Sequence, residues 1–367
     1  MKAVVLVGGE GTRLRPLTFT TPKPLLSIAN QPHLERQLAW LASHGVDEVV
    51  LSMGYLPDAF HRHFTSDDSG HDVFGDVVLR YVVEKEPLGT AGAIRFAAEG
   101  IEERIIVCNG DVLTSLDLDA MVRFHDEHGA EATISLTQVE DPSAFGVVPT
   151  QADGSVIAFV EKPAPGKAPS NWINAGTYVL EPAFMRRIPP RLNVSVERET
   201  FPRMLAQPGL LLGYRSDAYW LDIGTPEKYL EAHADALAGR LSNPPAPGAR
   251  EVESGVWMQG EATIEPDARV EAPVLIGAGT RIEAGAHVRA SVLGTAAVVE
   301  ARATLDGAVV HTGARVSHGG RVRDSVVGAY AVLKPDVSLA AETIVGEGVT
   351  IPSGTRISGG RVPAERE

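Results

Sequence analysis

Glycines and an arginine near the start of the chain form a pattern suited to binding phosphate groups. An apolar run, Ala3 to Val7, leads directly into Gly8-Gly9-Glu10-Gly11-Thr12-Arg13. Glycines let the backbone approach a phosphate chain and point N–H groups at it, and an arginine supplies positive charge. No Gly-Lys-Ser/Thr follows, and Leu14 takes the place of the last glycine of GxGxxG, so neither familiar nucleotide motif fits. The alternative role is a tight turn between a strand and a helix.

Two aspartates and a lysine could complete a site for phosphates and a metal. Lys23 stands between Pro22 and Pro24, and the prolines restrict its backbone so that its ammonium group is held near the loop. Asp111 follows an apolar run, at the strand end where open α/β sheets bind ligands. Asp222 follows a second short apolar run. Two carboxylates suit a Mg²⁺ that keeps some waters and bridges phosphate oxygens, although one aspartate alone would more often cap a turn.

The stretch Tyr81 to Gly89 resembles a nucleotide-contacting stretch of sugar-1-phosphate nucleotidylyltransferases, and this resemblance implies that Glu84 could select the nucleobase. The Watson–Crick edge of guanine offers two adjacent donors, which one carboxylate accepts together, whereas uracil and thymine offer one donor flanked by acceptors. A carboxylate in the stretch Tyr81 to Gly89 therefore favours guanine. Strand alternation would place Glu86 on the same face as Glu84, so Glu86 is an alternative reader. Either glutamate could also be a solvated charge at a strand edge.

The elements that must position these residues form an α/β sandwich with a largely parallel sheet. Short apolar runs alternate with helical patterns, such as the one that carries Leu34, Leu38 and Leu41 and ends at Gly45. This alternation is typical of strands joined by crossover helices. The expected strands are Ala3–Val7, Glu48–Ser52, Val77–Val83, Arg104–Cys108 and Ala132–Thr137.

The hydrophobic period changes after residue 241. A proline-rich stretch, Ser242 to Gly248, predicts a stiff linker. Beyond it, single aliphatic residues recur every six positions, occasionally five, from Ile264 to Ile357. Such repeats predict a parallel β-helix and resemble the hexapeptide repeats of left-handed β-helices. Histidines within the repeats (His287, His311 and His318) are interpreted as structural, because almost no inserted loop interrupts the coils.

Composition excludes several classes of protein. The 367 residues carry 33 Lys+Arg against 47 Asp+Glu, a net charge of −14, which argues against sequence-independent binding to nucleic acids. No apolar stretch approaches the roughly 20 residues that span a bilayer, and the N-terminus lacks the features of a signal peptide. Cys108 is the single cysteine, so an intramolecular disulfide and a multi-cysteine metal site are excluded. We expect a cytoplasmic protein.

The loop also belongs to a larger series of motifs. Gly-Gly-x-Gly-Thr-Arg-Leu-Arg-Pro-Leu-Thr followed by Pro-Lys-Pro-Leu resembles the signature of sugar-1-phosphate nucleotidylyltransferases. The resemblance covers nearly all of residues 1–240 and continues in order through Leu88–Gly92, Asn109–Asp111, Phe145–Val147, Glu161–Pro163, Asn174–Gly176 and Trp220–Pro226. With a β-helix behind these motifs, the chain looks most like the two-domain mannose-1-phosphate guanylyltransferases.

The resemblance implies a role for each matched residue. Asp111 and Asp222 match the metal-binding pair, and Lys162 matches the lysine that grips the sugar phosphate. Nucleotide contacts fall on Gly8, Gly9, Gly11, Thr12, Arg13, Lys23, Glu84, Gly89 and Thr90. Sugar-phosphate contacts fall on Gly110, Gly146, Glu161, Lys162, Asn174 and Gly176. The expected catalytic set is Arg13, Lys23, Lys162, Asp111 and Asp222. Arg198 could reach a phosphate, or it could lie in the first turn of a helix.

The implied reaction joins a nucleoside triphosphate, preferably GTP, to a sugar 1-phosphate, preferably mannose 1-phosphate, with release of pyrophosphate. Alternatives are a glucose-1-phosphate uridylyl- or thymidylyltransferase, a non-catalytic regulatory relative, and a β-helix acyltransferase. The regulatory class would be expected to lose some of the charged motif residues, all of which are present here. We expect a catalytic domain over 1–240, a linker over 241–250, a β-helix over 251–360, a tail over 361–367, and a homo-oligomer.

Overall fold

The chain folds into two compact units. The computed structural model describes residues 1–66, 72–207 and 209–363. The first unit comprises residues 1–10 and 34–220, and the second comprises residues 11–33 and the chain from residue 221 onward. The stretch that follows Glu10 therefore belongs with the C-terminal part of the chain. In the part that the structure describes, no helix is both long and apolar enough to cross a membrane.

The two units differ in secondary structure. The helices are α1 (His33–Ser43), α2 (Pro57–His63), α3 (Gly89–Ala97), α4 (Leu118–His128), α5 (Pro182–Arg187), α6 (Phe201–Met204) and α7 (Pro226–Leu237). The strands before the linker are β1 (Lys2–Leu6), β2 (Ser27–Ile28), β3 (Gln31–Pro32), β4 (Glu48–Met53), β5 (Thr65–Ser66), β6 (Asp72–Phe74), β7 (Val77–Val83), β8 (Ile105–Asn109), β9 (Val112–Thr114), β10 (Ala132–Gln138), β11 (Gly146–Val147), β12 (Val160–Glu161), β13 (Trp172–Leu180), β14 (Leu211–Arg215) and β15 (Trp220–Asp222). Short 3-10 helices lie at Thr12–Leu14, Leu17–Phe19, Lys23–Leu25 and Pro142–Ala144, and a π-helical turn at Val196–Thr200.

The first unit is built on a mixed sheet whose centre is parallel. Its strand order is β12-β11-β13-β8-β1-β4-β7-β6-β5, and β10 pairs with both β13 and β14. Strands β8, β1, β4 and β7 run parallel, and β13 runs antiparallel to β8. The five strands expected from the apolar runs all form, with ends that differ by one residue at most. The α/β prediction is therefore confirmed.

Helix α1 shows how the spacing of apolar residues in the sequence predicts a helix with one buried face. Leu34, Leu38 and Leu41 are fully buried, as expected from their spacing on one helix face. The helix ends before Gly45, which adopts a φ of 76° that a residue with a side chain would rarely take. Helix α4 is fixed in the same way, because the Asp117 side chain accepts from the Ala120 N–H at 2.8 Å and Gly129 ends the helix with a φ of 60°.

The second unit contains the β-helix. Its strands are β16 (Ala249–Glu253), β17 (Val256–Gln259), β18 (Thr263–Ile264), β19 (Arg269–Ile276), β20 (Arg281–Ile282), β21 (His287–Leu293), β22 (Val298–Val299), β23 (Thr304–Asp306), β24 (Val309–Val310), β25 (Arg315–Val316), β26 (Arg321–Arg323), β27 (Val326–Val327), β28 (Val332–Leu333), β29 (Ser338–Ala340), β30 (Ile344–Val345), β31 (Thr350–Ile351), β32 (Arg356–Ser358) and β33 (Arg361–Val362). Each strand from β17 to β33 pairs in parallel with a strand of a neighbouring coil.

The coil length explains the six-residue period. Arg281 pairs with Val298, and Val298 with Arg315, so these coils advance by 17 residues, the sum of two steps of six and one of five. The recurring aliphatic residues from Ile276 to Ile351 are at most 2% exposed and form one continuous core. Ile264, at the open first coil, is 39% exposed because no preceding coil covers it.

The expected linker and tail contain paired strands at their edges. Strand β16 begins at Ala249, inside the stretch expected to be linker, and pairs antiparallel with β17. Strand β33 at Arg361–Val362 pairs with β30, so regular structure extends into the expected tail. The remainder of that tail, residues 364–367, lies outside the described residues.

Candidate active site

In the first unit, the strand order creates a crevice at the carboxyl ends of β1 and β8. The chain passes from β1 to β4 and β7 on one side and then returns to place β8 on the other side of β1. Such a reversal is where open α/β sheets bind ligands. Gly8 and Gly9 follow β1, while Gly110 and Asp111 follow β8. Neighbouring strand ends thus bring together four of the residues expected to bind substrate or metal.

Close backbone packing at this crevice explains two of the expected glycines. A Cβ on Gly110 would lie 2.7 Å from the carbonyl oxygen of Leu6 in β1. Gly176 has a φ of 77°, and a Cβ there would lie 2.7 Å from the side-chain nitrogen of Asn109. Any side chain at either position would force the Leu6 backbone or the Asn109 amide to move. Both glycines therefore permit the packing of the strand ends.

A second group in the first unit contains the residues expected to contact the sugar phosphate. Gly146 in β11 pairs with Glu161 in β12, and a Cβ on Gly146 would lie 3.0 Å from Glu161 Oε2. Lys162 has a φ of 48°, and its side chain is 62% exposed. Because Val147 pairs with Ile173, Asn174 follows directly on the neighbouring strand. The structure thus gathers Gly146, Glu161, Lys162 and Asn174 on adjacent strands.

The side chain of Asn174 is already fixed by hydrogen bonds. Its Nδ2 donates to Tyr178 Oη at 2.8 Å, and its Oδ1 accepts from the Gly176 N–H at 3.0 Å. Trp220 adds a bond that the sequence reasoning missed, since its Nε1 donates to the carbonyl oxygen of Ala175 at 2.9 Å. The Asn174–Gly176 segment of β13 is therefore held by hydrogen bonds from two sides.

Glu84 lies in a loop and not in a strand. Strand β7 ends at Val83, so strand alternation does not relate Glu86 to Glu84, and that premise of the sequence reasoning is wrong. The two oxygens of Glu84 accept from the Leu88 N–H at 3.0 Å and from Ser52 Oγ at 3.3 Å. Glu84 therefore orders the turn that leads into helix α3.

Gly89 and Thr90, expected to contact the nucleotide, also hold a second segment of the first unit. A Cβ on Gly89 would lie 2.6 Å from the carbonyl oxygen of Val194. Thr90 Oγ1 accepts from the Val196 N–H at 2.8 Å and donates to Glu197 Oε2 at 2.7 Å. The contact between Thr90 and Glu197 could not be found from the sequence, because the two residues lie more than a hundred positions apart. Arg198, in the π-helical turn just after Glu197, is exposed.

The second unit contains Asp222 and the rest of the phosphate loop, the glycine-rich stretch Gly8–Arg13 that is expected to bind phosphate. Gly11 has a φ of 61° and precedes the 3-10 helix that includes Thr12 and Arg13. Lys23 is 7% exposed, and its Nζ lies 3.6 Å from Asp222 Oδ1. A Cβ built on Gly224 would lie 2.6 Å from Arg13 Nη2 and 2.8 Å from Asp222 Oδ1. Arg13, Lys23 and Asp222 thus converge around Gly224.

This convergence defines the electrostatic character of the second unit's part of the site. A carboxylate with a lysine and an arginine beside it has its charge balanced, and the two cations can contact a polyphosphate when one binds.

Cys108 lies elsewhere, in β8, where burial raises its pKa to about 12. The expectation of a buried thiol is confirmed, and that thiol cannot act as a nucleophile near neutral pH.

The expected metal ligands, Asp111 and Asp222, can be compared with the donor atoms that divalent metals prefer. Asp111 and Asp222 offer the hard carboxylate oxygens that divalent metals such as Mg²⁺ prefer. Within the described ranges, one group of three side chains lies close enough together to hold a metal: His44, Asp117 and Asp119. Neither Asp111 nor Asp222 belongs to this group. Asp117 caps α4, and Asp119 bonds to His44 at 3.0 Å. That group is accounted for by these structural bonds.

Comparison with known proteins identifies the family. The family described as nucleotidyl transferase matches residues 2–239, and the EIF2B subunit epsilon LbH domain, a left-handed β-helix, matches residues 253–357. Mannose-1-phosphate guanylyltransferase of Mycobacterium tuberculosis is 38% identical over 310 residues, which cover 84% of this chain and 79% of that protein. Mannose-1-phosphate guanylyltransferase 1 of Arabidopsis thaliana is 34% identical over 372 residues, covering 100% of this chain and 97% of that protein.

Solved structures agree with this assignment. The crystal structure of HddC from Yersinia pseudotuberculosis has a TM-score of 0.54 and 31% identity, and the match covers 63% of this chain and 97% of that one. A second structure of HddC, complexed with GMP-PN, has a TM-score of 0.53 at the same identity. Nucleotidyltransferases of this family generally use a divalent metal. This chain belongs to the nucleotidyl transferase family, and it is an enzyme that transfers a nucleotidyl group from a nucleoside triphosphate to a sugar 1-phosphate.

Proposed function

We propose that this enzyme transfers a guanylyl group from GTP to mannose 1-phosphate, using Mg²⁺ and releasing pyrophosphate. The observation that carries the proposal is the convergence of Arg13 and Lys23 on the Asp222 carboxylate. Two cations and one metal-binding carboxylate within a few ångströms suit a nucleoside triphosphate bound with its metal. The mannose-1-phosphate guanylyltransferases that the chain resembles over most of its length support the choice of substrates.

The reaction needs positioning more than acid–base catalysis. A phosphate monoester has a second pKa near 6, so the attacking oxygen of the sugar 1-phosphate is already ionised at neutral pH. The enzyme must hold two anions in line and neutralise the charge on the α-phosphate and the leaving pyrophosphate. In this proposal Arg13 and Lys23 bind the triphosphate, and the backbone N–H groups of Gly8, Gly9, Gly11 and Thr12 bind its oxygens.

The proposed metal site uses Asp111 and Asp222. A bound Mg²⁺ would polarise the α-phosphate and draw charge from the leaving group. Two protein carboxylates leave room in an octahedral shell for water and phosphate oxygens. Lys23 Nζ lies 3.6 Å from Asp222 Oδ1 and would balance part of the negative charge that the carboxylates and phosphates bring to this site.

The proposed sugar-phosphate site lies in the first unit. Lys162 presents an exposed ammonium group to the phosphate, and Glu161 accepts hydrogen bonds from sugar hydroxyls. Asn174, already fixed by Tyr178 and Gly176, is a further polar contact. Gly110, Gly146 and Gly176 allow the segments around this site to pack closely, since a Cβ on each would meet neighbouring protein atoms.

The proposed base reader is Glu84, with Gly89 and Thr90 at the start of helix α3. Glu84 and Glu86 both border an open cleft of about 1080 Å³, ample for a nucleobase. Each oxygen of Glu84 accepts one hydrogen bond from the protein, and a carboxylate oxygen has a second lone pair free to accept from guanine.

The first test measures pyrophosphate release by the purified protein with Mg²⁺. GTP, UTP, dTTP and ATP are each combined with mannose 1-phosphate and with glucose 1-phosphate. We expect the highest kcat/KM for GTP with mannose 1-phosphate. A maximum for UTP or dTTP with glucose 1-phosphate would replace both substrates, and no release with any pair would contradict the proposal.

Variants test the assigned residues. We expect Asp111→Asn and Asp222→Asn each to lower metal-dependent turnover at least about 100-fold while thermal unfolding stays nearly unchanged. Glu84→Gln should lower the preference for GTP over UTP, and Glu86→Gln is the matched control in the same loop. Equal loss of preference in the Glu84 and Glu86 variants would contradict the assignment of the base reader.

Three further expectations complete the proposal. Residues 1–240 form the catalytic domain, with a linker over 241–250 and the β-helix over 251–360. The enzyme acts in the cytoplasm, where its lone thiol, Cys108, stays reduced. It assembles as a homo-oligomer, since the terminal coils of a β-helix present strand edges that a second copy can cover. Sedimentation of the purified protein tests the last point, and a monomer at all concentrations would contradict it.

A further inference from the structure

The hairpin that follows Lys23 has an unusual turn. Strands β2 and β3 are joined by Ala29 and Asn30, whose φ angles are 46° and 59°. Two consecutive left-handed residues are favourable in a tight hairpin, but glycine usually supplies them, and alanine is a poor choice. A turn of this kind persists when the surrounding structure holds it in place.

Helix α7 holds the first strand of this hairpin through two side chains. Tyr229 Oη donates to the carbonyl oxygen of Ser27 at 2.6 Å, and His233 Nδ1 accepts from the Ala29 N–H at 3.2 Å. Tyr229 and His233 are four residues apart and therefore lie on one face of the helix. Both are almost fully buried, so water does not compete for these bonds.

The β-helix holds the turn itself. Asn30 Nδ2 donates to Gln259 Oε1 at 3.0 Å and to the carbonyl oxygen of Leu293 at 2.8 Å. On the other side of Lys23 in the chain, Thr20 Oγ1 donates to Glu347 Oε2 at 2.6 Å. The segment that carries Lys23 is thus anchored on both sides of that lysine.

His311, from a coil of the β-helix, completes the arrangement around Tyr229. Its Nε2 lies 3.2 Å from Tyr229 Oη, and the two rings stack with 6.3 Å between centroids. Tyr229 has one hydroxyl proton, and that proton goes to Ser27, so the tyrosine oxygen can only accept from His311. Burial lowers the pKa of His311 to about 4, and the neutral ring must therefore carry its proton on Nε2.

The path from this arrangement to Lys23 is short. The Leu26 N–H donates to the carbonyl oxygen of Lys23 at 3.1 Å, and the His33 N–H donates to the carbonyl oxygen of Leu26 at 3.0 Å. Ser27 is the next residue. A shift of the Ser27 carbonyl therefore moves a hydrogen-bonded run of backbone that includes Lys23, whose ammonium lies against Asp222.

We propose that His311 and Tyr229 are positioning residues for nucleotidyl transfer, through which the β-helix sets the place of the Lys23 ammonium. Hydrogen bonds run from His311 Nε2–H to Tyr229 Oη and from Tyr229 Oη–H to Ser27. This inference rests on the proposed role of Lys23 at the nucleotide phosphates. It gives the β-helix a part in substrate binding, beside the part in assembly proposed above.

The test compares variants that remove or keep the donor. His311→Leu removes it, His311→Gln keeps an N–H at the same reach, and Tyr229→Phe removes the hydroxyl. His318→Leu is the matched control, because His318 is an exposed histidine of the same β-helix. For each variant we measure kcat, the KM for GTP, the KM for mannose 1-phosphate, and the thermal midpoint.

We expect His311→Leu and Tyr229→Phe to raise the KM for GTP about 10-fold, as loss of a group that orients a ligand-binding residue commonly does. The KM for mannose 1-phosphate should change less than twofold. His311→Gln should return the KM for GTP to within about threefold of the starting protein, and His318→Leu should match it. A purely structural role would lower the thermal midpoint and the active fraction without this selective change in KM.

Two outcomes would overturn the inference. One is an unchanged KM for GTP in Tyr229→Phe and in a folded His311→Leu protein. The other is equal change in both KM values with no recovery in His311→Gln. Equilibrium binding of GTP with Mg²⁺ is measured in parallel, so that absence of turnover in the starting protein would count against the proposed reaction, while the affinities still test the positioning role.

Discussion

Replacement of Gly11 by alanine tests whether the phosphate loop works only in the conformation described. Gly11 has a φ of 61°, which costs an alanine about 1–2 kcal/mol. The added Cβ would also lie 2.9 Å from Thr18 Cγ2 and 3.1 Å from Lys23 Cβ. Thr18 cannot easily turn away, because it is fully buried and its Oγ1 donates to the Gly11 carbonyl at 2.9 Å.

The two contributions together disfavour the loop by about 2–5 kcal/mol, since overpacking of this kind adds about 1–3 kcal/mol. Each 1.4 kcal/mol corresponds to a factor of ten, so kcat/KM for GTP should fall at least about 10-fold. Gly45→Ala is the control, because Gly45 has a φ of 76° and nothing within 4 Å of a Cβ. It carries the conformational cost alone, far along the chain from the loop.

Steady-state pyrophosphate release and thermal unfolding are measured for both variants. Gly11→Ala should lose activity, whereas Gly45→Ala should keep kcat/KM within about twofold and lose a few degrees of thermal midpoint at most. If Gly11→Ala retains kcat/KM within twofold, the loop tolerates another conformation and the argument from Thr18 and Lys23 fails. Equal losses in the two variants would show a global effect on folding instead.

Three further predictions test separate contacts. Trp220→Phe removes the bond to the Ala175 carbonyl and should raise the KM for the sugar 1-phosphate several-fold with the KM for GTP unchanged; equal changes in the two KM values would contradict this. Thr90→Val leaves the Val196 N–H without its acceptor and removes one of the two hydrogen bonds to Glu197 Oε2, so it should lower the thermal midpoint by an amount equivalent to about 2 kcal/mol, whereas Thr90→Ser should not. His311 has a folded pKa lowered to about 4, so its stabilising effect is present above about pH 6.5 and is lost as the pH falls towards 4. The thermal midpoint of His311→Gln should therefore fall less between about pH 7 and pH 5 than that of the starting protein, and parallel curves would contradict the assignment.

The β-helix was the most predictable part of the fold. Its period is fixed by geometry, because one aliphatic residue per face must point inward and three faces make a coil. The residues from Ile276 to Ile351 follow that rule and are buried. Ile264 follows the same pattern in sequence but is exposed, since a repeat cannot reveal which coil is first.

The end of strand β7 could not be read from its own residues. Val82 and Val83 suit a strand, and nothing in the following residues marks an end before Pro87. The strand ends because its partner does, since Met53, the last residue of β4, pairs with Val83. Sequence reasoning that treats a strand alone cannot find such an end, and for this reason it misplaced Glu86.

The types of the candidate site residues could be predicted from the sequence, but the residues that hold them in place through hydrogen bonds could not. Glycines, Arg13 and Lys23 have a recognisable local pattern, because phosphate binding demands charge and bare backbone close together. Their supports are single bonds between distant parts of the chain, such as Tyr229 to Ser27 and Thr90 to Glu197. A lone tyrosine or glutamate carries no periodic signal, so only the folded structure identifies these partners.

The hydrogen bonds that hold the segment carrying Lys23 give the β-helix a structural role near the candidate site. The motifs that indicate the chemistry lie within residues 1–240, but several bonds that hold the segment carrying Lys23 come from beyond residue 240. Thr20 bonds to Glu347, and Asn30 bonds to Gln259 and Leu293. A rigid solenoid is well suited to this task, because its stacked coils fix partners from different coils at constant spacing. The β-helix therefore helps to hold the segment that we propose binds phosphate, even though none of its residues belongs to the motifs by which the enzyme family is recognised.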